Sequence, residues 1–289
     1  MAKISVCINS LNSEKTLENT LKALSKAYEI ILCDMHSDDN SPKIAEKYGA
    51  KVVYHERANY AEIARNFCIS HATGDWILVV DTDEVVPEKL WNFLNDFADK
   101  ADKENNGFTT VAFPIQDYVF NKPMHCMYRK SVKRFWKKGC AEYTTQVHGM
   151  VHSTNGNDFA INPKRKELAL EHYHVDSFES YIEKINRYTT LEMNKFKTRN
   201  KKFSLSMIFI RPLFEFCKIY FLKQGFKDGL LGFIMAGMHT FYQFSRSAKM
   251  YEYNVIKKLF WFTKPKQFFI NFKFDYCEIC WDWTLQESS

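Results

Sequence analysis

The sequence is poor in glycine, and the glycine-rich loops of two large nucleotide-binding classes are absent from it. Glycine accounts for 10 of the 289 residues. No Gly-x-Gly-x-x-Gly segment follows the first predicted strand, and no Gly-x-x-x-x-Gly-Lys segment occurs anywhere. Dinucleotide-dependent dehydrogenases and P-loop enzymes are therefore disfavoured. A nucleotide bound to this chain would have to be held by side chains.

Long apolar runs are also missing. The longest uncharged run, residues 229–245, contains His239 and Gln243 and falls short of the roughly 20 apolar residues that a spanning helix needs. No transmembrane segment is expected. A signal peptide is not seen either, because Met1-Ala2-Lys3 leads directly into a strand. We therefore expect a cytoplasmic protein in a reducing compartment.

Neither the cysteines nor the charges indicate a metal-finger or nucleic-acid protein. The eight cysteines have no regular spacing, and Cys277 and Cys280 lack a second pair, so packing or surface thiols are favoured over zinc binding. The net charge is +6, with basic clusters at residues 195–202 and 257–273. These late clusters indicate an anionic surface as partner and no dedicated contact with nucleic acid.

The most informative segment is a short apolar run that ends in acids. Residues 76–80 are apolar and rich in β-branched side chains, and Asp81, Asp83 and Glu84 follow directly. This pattern is typical of a buried parallel strand that delivers carboxylates to its carboxyl end, where open α/β sheets bind ligands. Such close carboxylates favour a hard divalent cation. The alternative is an acidic loop that caps the helix near Pro87.

Strands and helices alternate over the first hundred residues. Short apolar strands are predicted at residues 4–8, 29–33 and 51–54, each followed by a segment with helical periodicity. Ser13 and Ser41-Pro42 are suitable starts for two of these helices. The alternation predicts a parallel, doubly wound sheet.

Several of these segments together resemble family 2 glycosyltransferases, which have the GT-A fold. The early ones are Ser10-Leu11-Asn12-Ser13-Glu14, Asp34-Met35-His36-Ser37-Asp38-Asp39, Arg65-Asn66 and Asp81-Thr82-Asp83-Glu84. The later ones are residues 147–149, 170–173, 181–188, 211–216 and 225–233. Within that family the chain looks most like bacterial lipopolysaccharide-core and lipooligosaccharide glucosyltransferases. The similarity covers roughly residues 3–254.

The resemblance implies an α/β, Rossmann-like GT-A domain, with a mostly parallel sheet flanked by helices, and a C-terminal helical extension rich in aromatics. We place the GT-A domain at residues 1–195, with a nucleotide-sugar half at 1–104 and an acceptor half at 105–195. A helical region for membrane contact or packing follows at 196–254. A basic, aromatic tail occupies 255–289.

The resemblance also implies a pocket for the nucleotide of a UDP-sugar. Asp34 would bind the uracil or ribose, Arg65 the diphosphate, and Asp81 the ribose or sugar. The full expected set is Ser10, Asn12, Asp34, Ser37, Asp39, Arg65, Asn66 and Asp81. In the alternative interpretation, Asp34 and Asp39 only cap the helix at Ser41, and Arg65 is a solvated helix residue.

By the same resemblance, Asp83 would bind Mn²⁺ or Mg²⁺ together with a histidine, either His148 or His172. An inverting transfer also needs a base for the acceptor hydroxyl. Relatives often carry Glu where this chain has Gly149, so Glu142 is our candidate for the base. Asp117, after a predicted strand at residues 111–115, is a second candidate but is better interpreted as a surface carboxylate.

Aromatic and basic residues are interleaved in the C-terminal third. Between residues 203 and 253, rings such as Phe209, Phe214 and Phe221 alternate with Lys and Arg, a pattern typical of interfacial membrane helices. Core packing of a helical subdomain is the alternative. The tail from residue 257 to 274 strengthens the membrane interpretation, because it contains five lysines, seven Phe or Trp residues and no acid.

Taken together, the sequence predicts an inverting, metal-dependent hexosyltransferase. It would move a hexose, glucose being the first candidate, from a UDP-sugar to a glycan or lipid-linked saccharide in lipopolysaccharide, lipooligosaccharide or capsule biosynthesis. We expect it on the cytoplasmic face of the bacterial inner membrane, as a peripheral protein on anionic lipid. The alternatives are a protein-modifying transferase on the same fold and a non-catalytic sugar-nucleotide-binding protein.

Overall fold

The computed structural model describes residues 2–57, 62–104, 106–144, 151–198 and 203–256. Its strands are β1 (Ile4–Ser10), β2 (Glu29–Asp34), β3 (Lys51–Tyr54), β4 (Trp76–Asp81), β5 (Glu84–Val85), β6 (Phe108–Val119), β7 (Lys122–Pro123), β8 (Arg129–Lys137), β9 (Ala141–Tyr143), β10 (Val151–Ser153), β11 (Asn157–Ala160) and β12 (Leu170–Val175). Its helices are α1 (Glu14–Ala23), α2 (Ser41–Lys47), α3 (Glu62–Ser70), α4 (Glu88–Glu104), α5 (Phe178–Thr198), α6 (Ser206–Cys217) and α7 (Gly229–Tyr251).

The central sheet is mixed, with a parallel first half. Its strand order is β3-β2-β1-β4-β8-β6-β12-β5. The first four strands are all parallel, so the doubly wound arrangement predicted for the first hundred residues is confirmed. β8 then enters antiparallel to β4 and β6, and β12 runs parallel to β6. The predicted fold class, a mostly parallel sheet flanked by helices with a helical extension, is confirmed.

Strand register brings polar residues together at one edge of the sheet. Asn9 lies beside Asp81 on β4, and Ser10 lies beside Asp34 on β2. Each of these residues stands at the carboxyl end of its strand. Since parallel strands end at the same edge, this edge collects side chains from three separate stretches of sequence.

The two faces of the sheet are covered by different helices. Leu17 and Leu21 of α1 and Trp91 of α4 are buried on one face, and Cys68 of α3 packs with Trp136 on the other. Trp76 and Phe135 stack in the core with ring centroids 5.0 Å apart. Each fully buried side chain of this size contributes roughly 1.5–3 kcal/mol. The core therefore holds the edge of the sheet rigidly.

β6 is longer than the sequence predicted. It extends to Val119 because β12 pairs alongside it, with His172 opposite Asp117. Asp117 therefore lies within a strand, and only 6% of its surface is exposed. Its interpretation as a surface carboxylate was wrong, because a strand end that looks open in the sequence is covered by a distant partner strand.

The helical extension docks on the end of β6 through a third buried cluster. Met235 and Ala236 of α7 pack against Val119, Cys126 and Ile185. Next to this cluster, the carboxylate of Asp228 accepts hydrogen bonds from the backbone N–H groups of His125 and Cys126 at 2.9 and 3.1 Å. These contacts fix the start of α7 against the turn that follows β7.

The aromatics of the extension divide between core and surface. Phe216 and Tyr220 pack against the third cluster, whereas Phe209, Phe214 and Phe221 are exposed. Core packing therefore accounts for part of this segment, and membrane contact by the exposed rings stays a prediction. No helix in the described ranges has both the length and the apolar character needed to cross a bilayer.

Candidate active site

The loops after β1 and β2 are tied together by side chains that the sequence assigned to the nucleotide. Asp34 is fully buried, and its carboxylate accepts hydrogen bonds from Ser37 N–H at 2.8 Å and Ser37 Oγ at 2.5 Å. Ser37 Oγ in turn accepts from Asn12 N–H, and Asn12 Oδ1 accepts from Asp38 N–H. Asn12 has a positive φ of 53°, which asparagine tolerates better than most residues. The loops are thus preshaped.

Two other residues that were predicted to bind the nucleotide form hydrogen bonds with backbone groups in this structure. Asp39 accepts hydrogen bonds from Ser41 N–H at the start of α2 and from Glu14 N–H at the start of α1, which matches the capping alternative. Asn66 exchanges two hydrogen bonds with the backbone of Tyr143 at 2.8 and 3.0 Å. It thereby fixes β9 beside α3.

The first acid of the Asp-x-Asp segment is engaged by two buried arginines. Asp81 Oδ1 lies 2.6 Å from Arg65 Nη2, and Asp81 Oδ2 lies 2.7 Å from Arg134 Nη2. Arg134 also reaches Glu84 Oε1 at 3.3 Å, and Glu84 accepts from Asp81 N–H. The guanidinium of Arg65 lies over the ring of Tyr143, 5.0 Å from its centroid. These contacts form a compact ionic cluster.

Burial and the neighbouring arginines shift the pKa values of the carboxyl groups of this cluster in opposite directions. Burial alone would raise the pKa of Asp81, but Arg134 and Arg65 outweigh it and hold that pKa well below its ordinary value. Glu84 lies farther from Arg134, at 3.3 Å. The effect of burial therefore exceeds the effect of the arginine and raises the pKa of Glu84. Asp81 therefore serves as the anion that orders both arginines.

Three residues that line a cavity, Asn9, Arg65 and Arg134, also carry buried polar atoms that have no hydrogen-bond partner among the described residues. Arg65 Nε and Nη1, Arg134 Nη1 and both amide atoms of Asn9 are buried without a hydrogen-bond partner in the described structure. An unsatisfied buried polar group costs about 1–3 kcal/mol. A ligand with several oxygens would relieve that cost. Ser10 is also fully buried, and its Oγ is unpaired.

The second acid belongs to a different chain of contacts. Asp83 Oδ2 lies 3.4 Å from His172 Nε2, and His172 Nδ1 lies 2.5 Å from Asp117 Oδ1. Arg129 Nη2 donates to the same Asp117 oxygen at 2.8 Å. Burial opposes a charge on the imidazole, but Asp83 and Asp117 prevail and raise the pKa of His172 to about 10. Asp117 thus fixes the orientation of the ring.

This arrangement fits a divalent cation that is completed by substrate. A metal-binding histidine usually presents one nitrogen to the ion while a carboxylate holds the other, which is the geometry of His172 between Asp83 and Asp117. A cation bound there would take the place of the proton that the two carboxylates otherwise keep on the ring. In the described residues no group of three His, Cys, Asp or Glu side chains could hold an ion unaided. Mg²⁺ in phosphate-transferring sites typically takes one or two carboxylates plus substrate phosphates. His148, the other predicted ligand, lies outside the described residues.

Asp83 lines three cavities, two of which are also bordered by Lys184 and Arg187. The first, here called the edge cavity, measures about 590 Å³ and runs from the strand ends to the helices of the extension. Its wall includes Asn9, Arg65, Asp81, Asp83, His172, Lys184, Arg187, His239 and Gln243. The second, the outer cavity, measures about 900 Å³ and lies between the start of α1 and α5. Both are lined by Asp83, Lys184 and Arg187.

The predicted base stands apart from these contacts. Glu142 is exposed on β9, and because strand side chains alternate, it points away from the face that carries buried Tyr143. It does not line either cavity described above.

Sequence reasoning missed Arg134, Asn9, Lys184 and Arg187. The sequence offered one signal for Arg134. It stands two residues before Trp136 on β8, so the two side chains lie on the same buried face of the strand, and this face therefore carries a cation. Asn9 directly precedes the Ser10 that was chosen. For the two cations on α5, helical spacing alone gave no reason to select them.

The fold and this edge of the sheet define a glycosyltransferase of the GT-A type. The chain belongs to glycosyltransferase family 2, whose model matches residues 5–165. A mannosyltransferase, PcManGT from Pyrobaculum calidifontis, solved with GDP-Man and Mn²⁺, has a similar fold, with a TM-score of 0.53, 11% identity, and coverage of 86% of this chain and 87% of that one. At this identity the similarity supports the fold alone.

Relatives cover nearly the whole chain. An uncharacterized glycosyltransferase of Rickettsia felis is 26% identical over 261 residues, which span 87% of this chain and 90% of the relative. The lipopolysaccharide core biosynthesis glycosyltransferase LpsC of Rhizobium meliloti is 24% identical over 262 residues, or 88% and 94% of the two chains. The predicted family is confirmed, and one relative acts in lipopolysaccharide core biosynthesis.

Proposed function

We propose that this glycosyltransferase moves a hexose, with glucose as first candidate, from a UDP-sugar to a saccharide acceptor of lipopolysaccharide, lipooligosaccharide or capsule. The observation that carries the proposal is the set of unpaired buried donors on Arg65, Arg134 and Asn9 beside the Asp83–His172 pair. Such donors match the many oxygens of a nucleoside diphosphate. The LpsC relative supports a surface-glycan acceptor.

A Mn²⁺ or Mg²⁺ ion would be held by Asp83 and His172 and would neutralise charge on the departing diphosphate. The chain's own residues prepare that site. Asp117 keeps His172 Nε2 turned towards Asp83. Arg65 and Arg134, ordered by Asp81, present their remaining N–H groups to the ligand. Inversion follows if the acceptor hydroxyl displaces the diphosphate directly. Glu142 is proposed as the base that takes its proton, and this role requires the acceptor to reach the exposed side of β9, outside both cavities.

The same proposal places the protein on an anionic membrane surface, at the cytoplasmic face of the bacterial inner membrane. The two acids within residues 206–251 are turned inward, since the side chains of Glu215 and Asp228 are only 15% and 3% exposed. The exposed side chains of the extension include both apolar groups and cations such as Arg211, Lys223 and Lys227. A lipid-linked acceptor would be delivered at that surface.

The experiment is to incubate the full chain with UDP-glucose and other UDP-sugars, Mn²⁺ and a truncated lipopolysaccharide core, and to measure UDP release. We expect release that is accelerated by the acceptor and abolished in Asp83→Ala. Glu142→Gln should lose transfer but keep UDP binding; full turnover would remove Glu142 as the base. Acceleration by a peptide alone would favour protein modification, and absence of release with every UDP-sugar would contradict the proposal.

A further inference from the structure

One face of α5 is fixed against the cleft. Tyr181 and Ile185 are buried in the third cluster, and the ring of Tyr181 lies edge-on to His174, with centroids 5.2 Å apart. Lys184, three residues after Tyr181, lies beside this buried face, and Arg187, a further three residues on, lies farther round the helix and is exposed. Both line the edge cavity and the outer cavity.

The two cations stand where the cavities meet. Lys184 Nζ lies 3.8 Å from Asp83 Oδ2, too far for a hydrogen bond, and its side chain is 30% exposed. Arg187 is exposed, and within the described ranges no carboxylate lies at ion-pair distance from it. Its guanidinium lies 5.5 Å from the ring centroid of Tyr188. Both groups therefore have donors available for a ligand.

The other cations of the edge cavity are already paired. Arg65 and Arg134 are neutralised by Asp81 and Glu84, and Arg129 is paired with Asp117. Charge that enters the cavity with a ligand must therefore be balanced mainly by a metal ion and by α5. A nucleoside diphosphate brings such charge.

We propose, on the basis of the proposed function, that Lys184 and Arg187 form a phosphate clamp that binds the donor's diphosphate and stabilises it as the leaving group. As the acceptor oxygen bonds to the anomeric carbon, the bond from that carbon to the diphosphate oxygen breaks. The diphosphate keeps the electron pair and leaves as UDP, and the acceptor proton passes to the base. Lys184 supplies a compact charge and Arg187 a planar fork for the non-bridging oxygens, and neither gives up a proton.

The test compares UDP with uridine as ligands of the full chain in the presence of Mg²⁺. We expect Lys184→Gln and Arg187→Gln each to weaken UDP binding about tenfold, the size expected for a lost hydrogen bond to a charged group. Uridine lacks the phosphates, so its affinity should stay within about twofold. Calorimetry would measure UDP binding and ligand-observed NMR uridine binding. Arg187→Lys should recover part of the loss.

Lys43→Gln is the matched control, because Lys43 is an exposed cation on α2 outside both cavities. It should bind UDP like the unchanged protein. If the unchanged protein binds UDP and both α5 variants bind it equally well, the clamp is excluded while the proposed function stands. Equal losses for UDP and uridine would indicate a structural role and also exclude the clamp. If the unchanged protein binds no UDP, the proposed function fails as well.

Discussion

At the scale of single residues, the two acids of Asp-x-Asp have different tasks. Asp81 is committed to Arg65 and Arg134, whereas Asp83 faces both cavities and contacts His172. The difference arises from what neighbouring strands supply. β8 places Arg134 beside the first acid, and β12 places His172 beside the second. Both acids line the edge cavity, but the two oxygens of Asp81 are paired with arginines, so Asp83 is the acid of this motif that is more available to a ligand.

Replacing Arg134 with methionine should destabilise the protein by about 3 kcal/mol. The change leaves Glu84 without its cation in the core, and breaking a buried ion pair typically costs 3–5 kcal/mol. Because burial already raises the pKa of Glu84, the folded variant binds a proton more readily than the unfolded chain does. Its stability should therefore fall further as pH rises through that raised pKa. Urea unfolding at several pH values measures both effects.

Lys137→Gln provides the comparison for Arg134→Met. Lys137 pairs with Asp102 at 2.7 Å, but both side chains are at least one-third exposed, and exposed pairs contribute about 0–1 kcal/mol. It should unfold close to the unchanged protein at every pH. Equal losses of unfolding free energy for the two variants would show that the buried ionic cluster contributes no more stability than an exposed ion pair.

At the scale of elements, the start of α7 is fitted closely to the turn before it. A Cβ on Gly232 would lie 1.9 Å from the carbonyl oxygen of Gly225. Gly229 has a positive φ of 63°, and Asp228 holds the turn after β7. The segment from 225 to 233, which resembles the family's C-terminal part, thus fixes the extension against the turn after β7.

Gly232→Ala should destabilise the protein by about 1–3 kcal/mol, because α7 must move off the backbone of Gly225. Gly237→Ala is the matched control in the same helix, since a Cβ there would meet nothing within 4 Å. That change should stabilise the helix by about 0.5–1 kcal/mol. Urea unfolding followed by circular dichroism measures both. Opposite signs are expected, and a neutral Gly232→Ala would contradict the close fit.

At the scale of the whole molecule, the extension exposes many apolar and cationic side chains. Leu213 on α6 and Leu230 on α7 are 65% and 75% exposed. Aromatic rings of the same helices are exposed as well. A surface of this composition is suited to the interface of an anionic bilayer.

The full chain should float with phosphatidylglycerol-rich vesicles, less so at high salt, and weakly with phosphatidylcholine alone. The double variant Leu213→Glu with Leu230→Glu should lose at least about 100-fold in partitioning, because each leucine contributes roughly 1.5–3 kcal/mol when buried. Tyr28→Glu, at an exposed ring beside β2, should float normally. Equal flotation of the double variant would exclude this face as the membrane contact.

Local sequence patterns alone determined much of this protein's fold and placed the acids at the edge of the sheet. The apolar run before Asp81, the alternation of strands and helices, and the motifs of the family predicted the parallel half of the sheet and the acids at its edge. These are short-range properties, since a buried strand and its end are encoded within a few consecutive residues. The division of the chain at residues 195 and 254 stays a prediction, and the tail from residue 257 lies outside the described residues.

Tertiary structure alone decided the partners of those acids. The pairing of β12 with β6 joins Asp117 to His172 across 55 positions, and β8 brings Arg134 to Asp81 across 53. The fold of α5 over the cleft then sets Lys184 beside Asp83. Such contacts depend on strand register and helix docking, which arise only when distant segments are buried against one another. The acids, Arg65 and His172 could be chosen from the sequence, whereas Arg134, Lys184 and the pairing of each acid with its cations were visible only in the fold.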